Sequence, residues 1–171
     1  MKKSQTKTKK IALIGLCASL ALLLSYVEFL LPPLFVAVPG IKLGLPNVVI
    51  MYVLYCMGTK EAVLVSFVRI FISAILFGNV MTLMYSIAGA VLSLLIMAIL
   101  KRLNLFSGVG VSVTGGISHN IGQILVAMVL LDTPQIAYYL IVLSVTGIIS
   151  GTFIGLCSAY LIKKIPYSKI L

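Results

Sequence analysis

Six apolar stretches, each bounded by charge, proline or glycine, decide what this chain can fold into. They fall at residues 11–31, 43–58, 61–77, 80–100, 108–131 and 136–162, and about 20 apolar residues in a helix cross a hydrocarbon core of about 30 Å. Inside that core no water meets the backbone, so each stretch has to satisfy its own N–H and C=O groups, which a helix does. Composition agrees: 61% of the 171 residues are hydrophobic and 9% charged, against about 25% charged in soluble domains. The expectation is an all-α integral membrane protein. It has a six-helix transmembrane domain over residues 11–163, a basic tail over 1–10 and a short tail over 164–171. The second and third stretches are the shortest of the six.

The formal net charge is +10, from 13 Lys and Arg against 3 Asp and Glu. Such an excess raises the question of nucleic acid, but here the bases cluster at the ends of apolar runs, where they fix orientation and meet anionic headgroups. The expected partner is therefore the lipid membrane, with no nucleic acid. Lys2, Lys3, Lys7, Lys9 and Lys10 precede the first stretch; Lys60 lies in the second connection; Lys101 and Arg102 lie in the fourth; and Lys163, Lys164 and Lys169 close the chain. These eleven share one side of the membrane, which predicts cytoplasmic termini. Lys42 in the first connection and Arg69 within the third stretch remain. The first stretch imitates a secretory leader but is long for one and lacks a small-x-small cleavage site, so it reads as a true first span.

Arg69 lies nine residues beyond Lys60, about 13 Å into a helix. A charge at that depth costs about 2.5–3.5 kcal/mol on insertion scales and needs a partner or a water-filled cavity. Two roles are open: capping the carbonyls of a broken helix, or anchoring an anionic ligand such as a phosphate or carboxylate. In the fifth stretch, His119 and Gln123 are four apart and share a face, with Asn120 beside them and Gly115 and Gly116 one turn earlier. That face either joins helices or reads a ligand. The first connection carries Pro32, Pro33, Pro39 and Gly40, so it is not helical throughout. Residues 39–47, ending in Asn47, form a candidate wall or cap of an external cavity.

Small residues recur at helical spacing in two stretches: Gly147, Gly151 and Gly155 in the sixth, Gly15 and Ser19 in the first, with Cys17, Ala21 and Ser25 on a second stripe of the first. Such stripes let backbones approach closely, either within this chain or against a partner. Cys17, Cys56 and Cys157 lie on different stretches with no CxxC spacing, and read as packing residues rather than a metal site or disulfide framework. Glu28 and Asp132 belong at the external ends of the first and fifth stretches, as solvated charges or at a cavity mouth, and Glu61 reads as a cytoplasmic helix start. No phosphate-binding loop and no carboxylate cluster for magnesium is present. The chain therefore reads as a non-enzyme, with no catalytic residues, cofactor or metal.

Taken together, Pro39-Gly40-Ile41-Lys42-Leu43-Gly44-Leu45 with Asn47, then Arg69, Phe77-Gly78, Ser86-x-x-Gly89 and His119-Asn120-x-x-Gln123 resemble the bacterial Gx transporter family. That family is also named heptaprenyl diphosphate synthase component I. Pro46 departs from the small residue expected before the asparagine. The family in turn resembles the substrate-binding S components of energy-coupling factor (ECF) transporters. The resemblance implies a multi-pass protein of the bacterial cytoplasmic membrane with an externally open pocket, and it implies a first span that docks on a scaffold through Gly15, Ser19 and Ala21. Lys42, Asn47, Arg69, His119, Asn120 and Gln123 match its polar positions and are the expected ligand-binding set.

The implied function is uptake of a small anionic or amphipathic ligand, an isoprenoid or quinone precursor, flavin or other vitamin-like compound, with a separate transmembrane scaffold and ATPase subunits as partners. The alternative is an accessory membrane subunit of heptaprenyl diphosphate synthase. Prenyl synthases hold magnesium diphosphate through aspartate-rich motifs, and Asp132 is the one aspartate here, so catalysis would belong to a partner. A third reading is a purely structural subunit with an occluded core.

Overall fold

The computed structural model describes residues 2–31 and 43–166. Among these the chain is all-helical: α1 (Lys2–Leu30), α2 (Pro46–Cys56), α3 (Thr59–Phe77), α4 (Val80–Leu103), α5 (Gly108–Leu130), a 3-10 turn (Pro134–Tyr138) and α6 (Tyr139–Lys164). Helix boundaries follow local chemistry. Pro46 occupies the first turn of α2, where its missing N–H costs nothing. Asn79 and Thr82 cap α4 reciprocally, with Asn79 Oδ1 accepting from the Thr82 N–H and Thr82 Oγ1 accepting from the Asn79 N–H, a capping box. Asn104 closes α4 at φ 53°, a left-handed C-terminal residue. Ser107 Oγ accepts from Gly110 N–H to start α5.

Four helical segments are long and apolar enough to cross a membrane: α1, α4, α5, and α6 with its 3-10 lead-in. The second of the six expected spans, already one of the two shortest, is shorter still in the structure. The stretch 43–58 yields a helix of 11 residues, about 16 Å long, well short of a bilayer core of about 30 Å. The cause is Pro46, which fixes the start, and Gly58 at φ 125°, which turns the chain directly into α3. Helix α3 has 19 residues but carries Lys60, Glu61 and Arg69. At the other extreme, α1 begins at Lys2, so the basic tail and the first apolar stretch form one continuous helix.

Helix α5 packs between α4 and α6, while α1, α2 and α3 pack on one another and meet the rest through α2 on α6 and α3 on α4. The α5 contacts are glycine-mediated. A Cβ on Gly122 would lie 2.6 Å from Ala88 O, on Gly116 2.7 Å from Gly147 O, on Gly151 2.7 Å from Val113 Cα, and on Gly155 2.8 Å from Val109 Cα. The stripe of Gly147, Gly151 and Gly155 is thus used inside this chain, where dispersion between close backbones replaces the hydrophobic drive that lipid removes. Helix α2 supplies the centre of the apolar core, with Val53 and Leu54 fully buried. At the end of the bundle where α2 stops, Lys101 Nζ donates to Leu54 O at 2.6 Å and lies over the Tyr55 ring. Lys10 on α1 pairs with Glu61 on α3 at 2.5 Å.

Candidate functional site

A polar cavity of about 110 Å³ lies inside the apolar bundle, opposite the Lys101 end. Every helix contributes to it. Asn47 reaches it from the first turn of α2, Arg69 from the middle of α3, and His119, Asn120 and Gln123 from α5. Five of the six residues expected to bind a ligand therefore line one cavity, although they come from three helices. The sixth, Lys42, lies outside the described residues.

The α5 face forms as its spacing requires, because His119 and Gln123 sit one turn apart on the same side of the helix. Gly89 on α4 receives the His119 ring: a Cβ there would meet Cε1 and Nε2 at 2.8 Å. Asn120 has a double setting. Its Nδ2 donates to Leu143 O on α6 at 2.5 Å, which ties α5 to α6 at the level of the cavity, while the residue also lines the cavity wall.

Arg69 is the strongest chemical signal. Its Nε is fully buried and has no hydrogen-bond partner among the described residues. A buried donor on a neutral group already costs about 1–3 kcal/mol when unpaired, and one on a charged group more. The alternative role, capping the carbonyls of a broken helix, does not satisfy this Nε. The charge of Glu28 acts on Arg69 across the cavity, but Glu28 is itself engaged, since its carboxylate accepts the backbone N–H of Gly44.

Of the two acids expected at external helix ends, as solvated charges or at a cavity mouth, Glu28 lines the cavity, whereas Asp132 is exposed and does not. The serines Ser25, Ser73, Ser86 and Ser150 and the ring of Phe77 also contribute to the wall. Of these, Phe77 and Ser86 belong to the sequence pattern that carries the family resemblance. Ser25 bonds Ala21 O one turn back and Ser73 bonds Ile70 O, as lone serines in any apolar helix do; the spacing of Ser25 marks it as a packing residue of a small-residue stripe, and nothing in the spacing of Ser73 marks it. Phe77 is stacked in a tilted aromatic trio with Tyr26 and Phe29, at centroid distances of 5.7 and 5.1 Å.

The three α1 positions expected to dock a partner separate into two environments. Nothing approaches within 4 Å of a Cβ built on Gly15, and Ser19 is exposed. Ala21 is 0% exposed and packs in the chain's own core, so it offers no outward surface in this structure.

A helical bundle with several membrane-crossing segments, which gathers a cation, a carboxylate, an imidazole and carboxamides into one internal cavity, defines a multi-pass membrane protein with a buried polar site. The profile of the family described as heptaprenyl diphosphate synthase component I matches residues 17–161, and the chain belongs to that family. Searches of curated proteins and of solved structures return no match.

Proposed function

We propose that this chain is a membrane-embedded substrate-binding subunit, similar to the S component of an ECF transporter. It takes a small anionic or amphipathic ligand into the cavity lined by Arg69 and His119. The observation that carries this reading is the buried, unpartnered Nε of Arg69 at the wall of a polar cavity. In an apolar bundle such a group is retained at a cost, and an anionic acceptor entering the cavity would satisfy both its charge and its hydrogen bond. Asn47, His119, Asn120 and Gln123 supply the directional contacts that orient such a group.

Volume limits what enters. At about 110 Å³ the cavity is below the roughly 300–1,000 Å³ of pockets that enclose a drug-sized ligand. It suits an anionic head, a phosphate, diphosphate or carboxylate, with any apolar tail leaving through the mouth. A whole flavin would require the bundle to open. In this reading the chain crosses the bacterial cytoplasmic membrane six times with both termini inside, α2 and α3 completing the set, and the cavity opens outward. Energy comes from separate scaffold and ATPase subunits, with the open Gly15 and Ser19 face of α1 as the docking side.

The family's description favours a second reading, an accessory non-catalytic membrane subunit of heptaprenyl diphosphate synthase. Here the cavity would hold the diphosphate end of a prenyl precursor, and the chemistry would belong to a soluble partner. Native mass spectrometry of the protein released from its own membrane separates the two. A retained small anion with a transmembrane scaffold and ATPases supports the transporter; a retained prenyltransferase supports the accessory subunit. A protein that keeps no anion, and that binds inorganic diphosphate equally before and after Arg69→Ala, has no ligand site of this kind.

A further inference from the structure

A second cavity, of about 420 Å³, lies between α3 and α4 and has the opposite character. Its floor is Leu94 and Ala98, at 4% and 9% exposure, and its rims are Val63 and Phe67 on α3 and Leu95 and Ile99 on α4. Helices α3 and α4 are joined by the tight Gly78-Asn79 turn at one end, and this groove occupies the space between them toward the other end, where Thr59 and Arg102 close it. Arg102 is exposed and makes no hydrogen bond or ion pair among the described residues. Its neighbour Lys101, by contrast, is committed to Leu54 O.

Length and charge together identify an occupant. From Val91 to Arg102 the groove follows α4 over eleven residue steps, about 16 Å at 1.5 Å per step. That is the depth of one leaflet, half of a core of about 30 Å. An apolar slot one leaflet deep, ending in an uncommitted guanidinium at the interface, matches an anionic phospholipid. The acyl chain would lie along Leu94 and Ala98 and the phosphate against Arg102, where a guanidinium binds phosphate through paired N–H donors. We infer that this groove is a binding site for an anionic phospholipid of the leaflet that meets Arg102. The site is separate from the polar cavity and independent of what that cavity binds.

The test uses the full chain in detergent, with phosphatidylglycerol or phosphatidylcholine of the same acyl chains added and retained lipid counted by native mass spectrometry. The wild type should retain one phosphatidylglycerol in preference to phosphatidylcholine. Arg102→Gln should reduce that preference by about fivefold, the weight of one interfacial cation. Ile99→Trp, which leans a large ring over the groove from an exposed rim, should reduce retention of both lipids, while Leu156→Trp on the exposed face of α6 should leave both unchanged. Equal retention of the two lipids by the wild type, or no effect of Arg102→Gln and Ile99→Trp, would overturn the site. So would a photocrosslinker at position 99 that captures a protein helix rather than lipid.

Discussion

The imidazole of His119 on α5 lies directly against the backbone of Gly89 on α4, so that a single methyl at position 89 would sit 2.8 Å from the ring. Gly89→Ala should therefore act on the cavity from behind its wall, pushing the His119 ring out of place while leaving the other expected ligand-binding side chains untouched. Overpacking of this kind costs about 1–3 kcal/mol. The expected outcome is a lowered thermal midpoint in detergent together with weakened diphosphate binding, close to that of His119→Ala. A variant that binds normally would show that the ring position does not matter.

Arg69 and Glu28 place opposite charges on one cavity, and they should respond oppositely. Arg69→Ala removes the cation and is expected to weaken binding of an anion by about 10- to 150-fold, the worth of a charged hydrogen bond of roughly 1.5–3 kcal/mol. Glu28→Gln keeps an acceptor for the Gly44 N–H but deletes the negative charge, and should strengthen anion binding. Titration calorimetry with inorganic diphosphate reads both, and a shift in the same direction for the two variants contradicts the electrostatic account.

Glycine substitutions should divide by which side of a helix they occupy. Gly151→Leu drives side-chain atoms into the backbone at Val113, whose Cα would lie only 2.7 Å from the new Cβ, and should destabilise by about 1–3 kcal/mol or prevent folding. Gly15→Leu meets open space and should leave the thermal midpoint unchanged. If the α1 face docks on a scaffold, Gly15→Leu will still abolish co-purification of that scaffold.

The Asn79–Thr82 capping box anchors the start of α4 beside the end of α3. Asn79→Ala should cost about 1 kcal/mol, measured as reduced thermal stability, with hydrogen exchange rising first in residues 80–83. An unchanged exchange pattern would mean that packing alone holds this turn.

The α5 site was legible in the sequence because three polar residues on one helical face have no cheap explanation inside an apolar run. Arg69 was legible for the same reason. Glu28 was legible only as one of two alternatives, since an acid near the end of an apolar stretch is ordinarily solvated, and only the fold brings it to the same cavity as Arg69. The small-residue stripes showed that helices approach closely without saying which helices. The structure places Gly147, Gly151 and Gly155 against α5 and leaves Gly15 facing outward. The second stretch was legible as one of the two shortest, but not how short α2 is, because apolar residues continue on both sides of it and hydropathy does not register that Pro46 and Gly58 bracket a helix of only 11 residues.

The glycine contacts that hold α4, α5 and α6 together imply unequal stiffness across the molecule. His119, Asn120 and Gln123 stand on a slab whose backbones are in near-direct contact, whereas Arg69 stands on α3, tied to that slab through the Gly78-Asn79 turn, the side-chain packing of α3 on α4 and, by way of α2, that of α2 on α6. Deformation should therefore concentrate between the guanidinium and the imidazole, and the gap between them is the dimension of the cavity that the protein can most cheaply change.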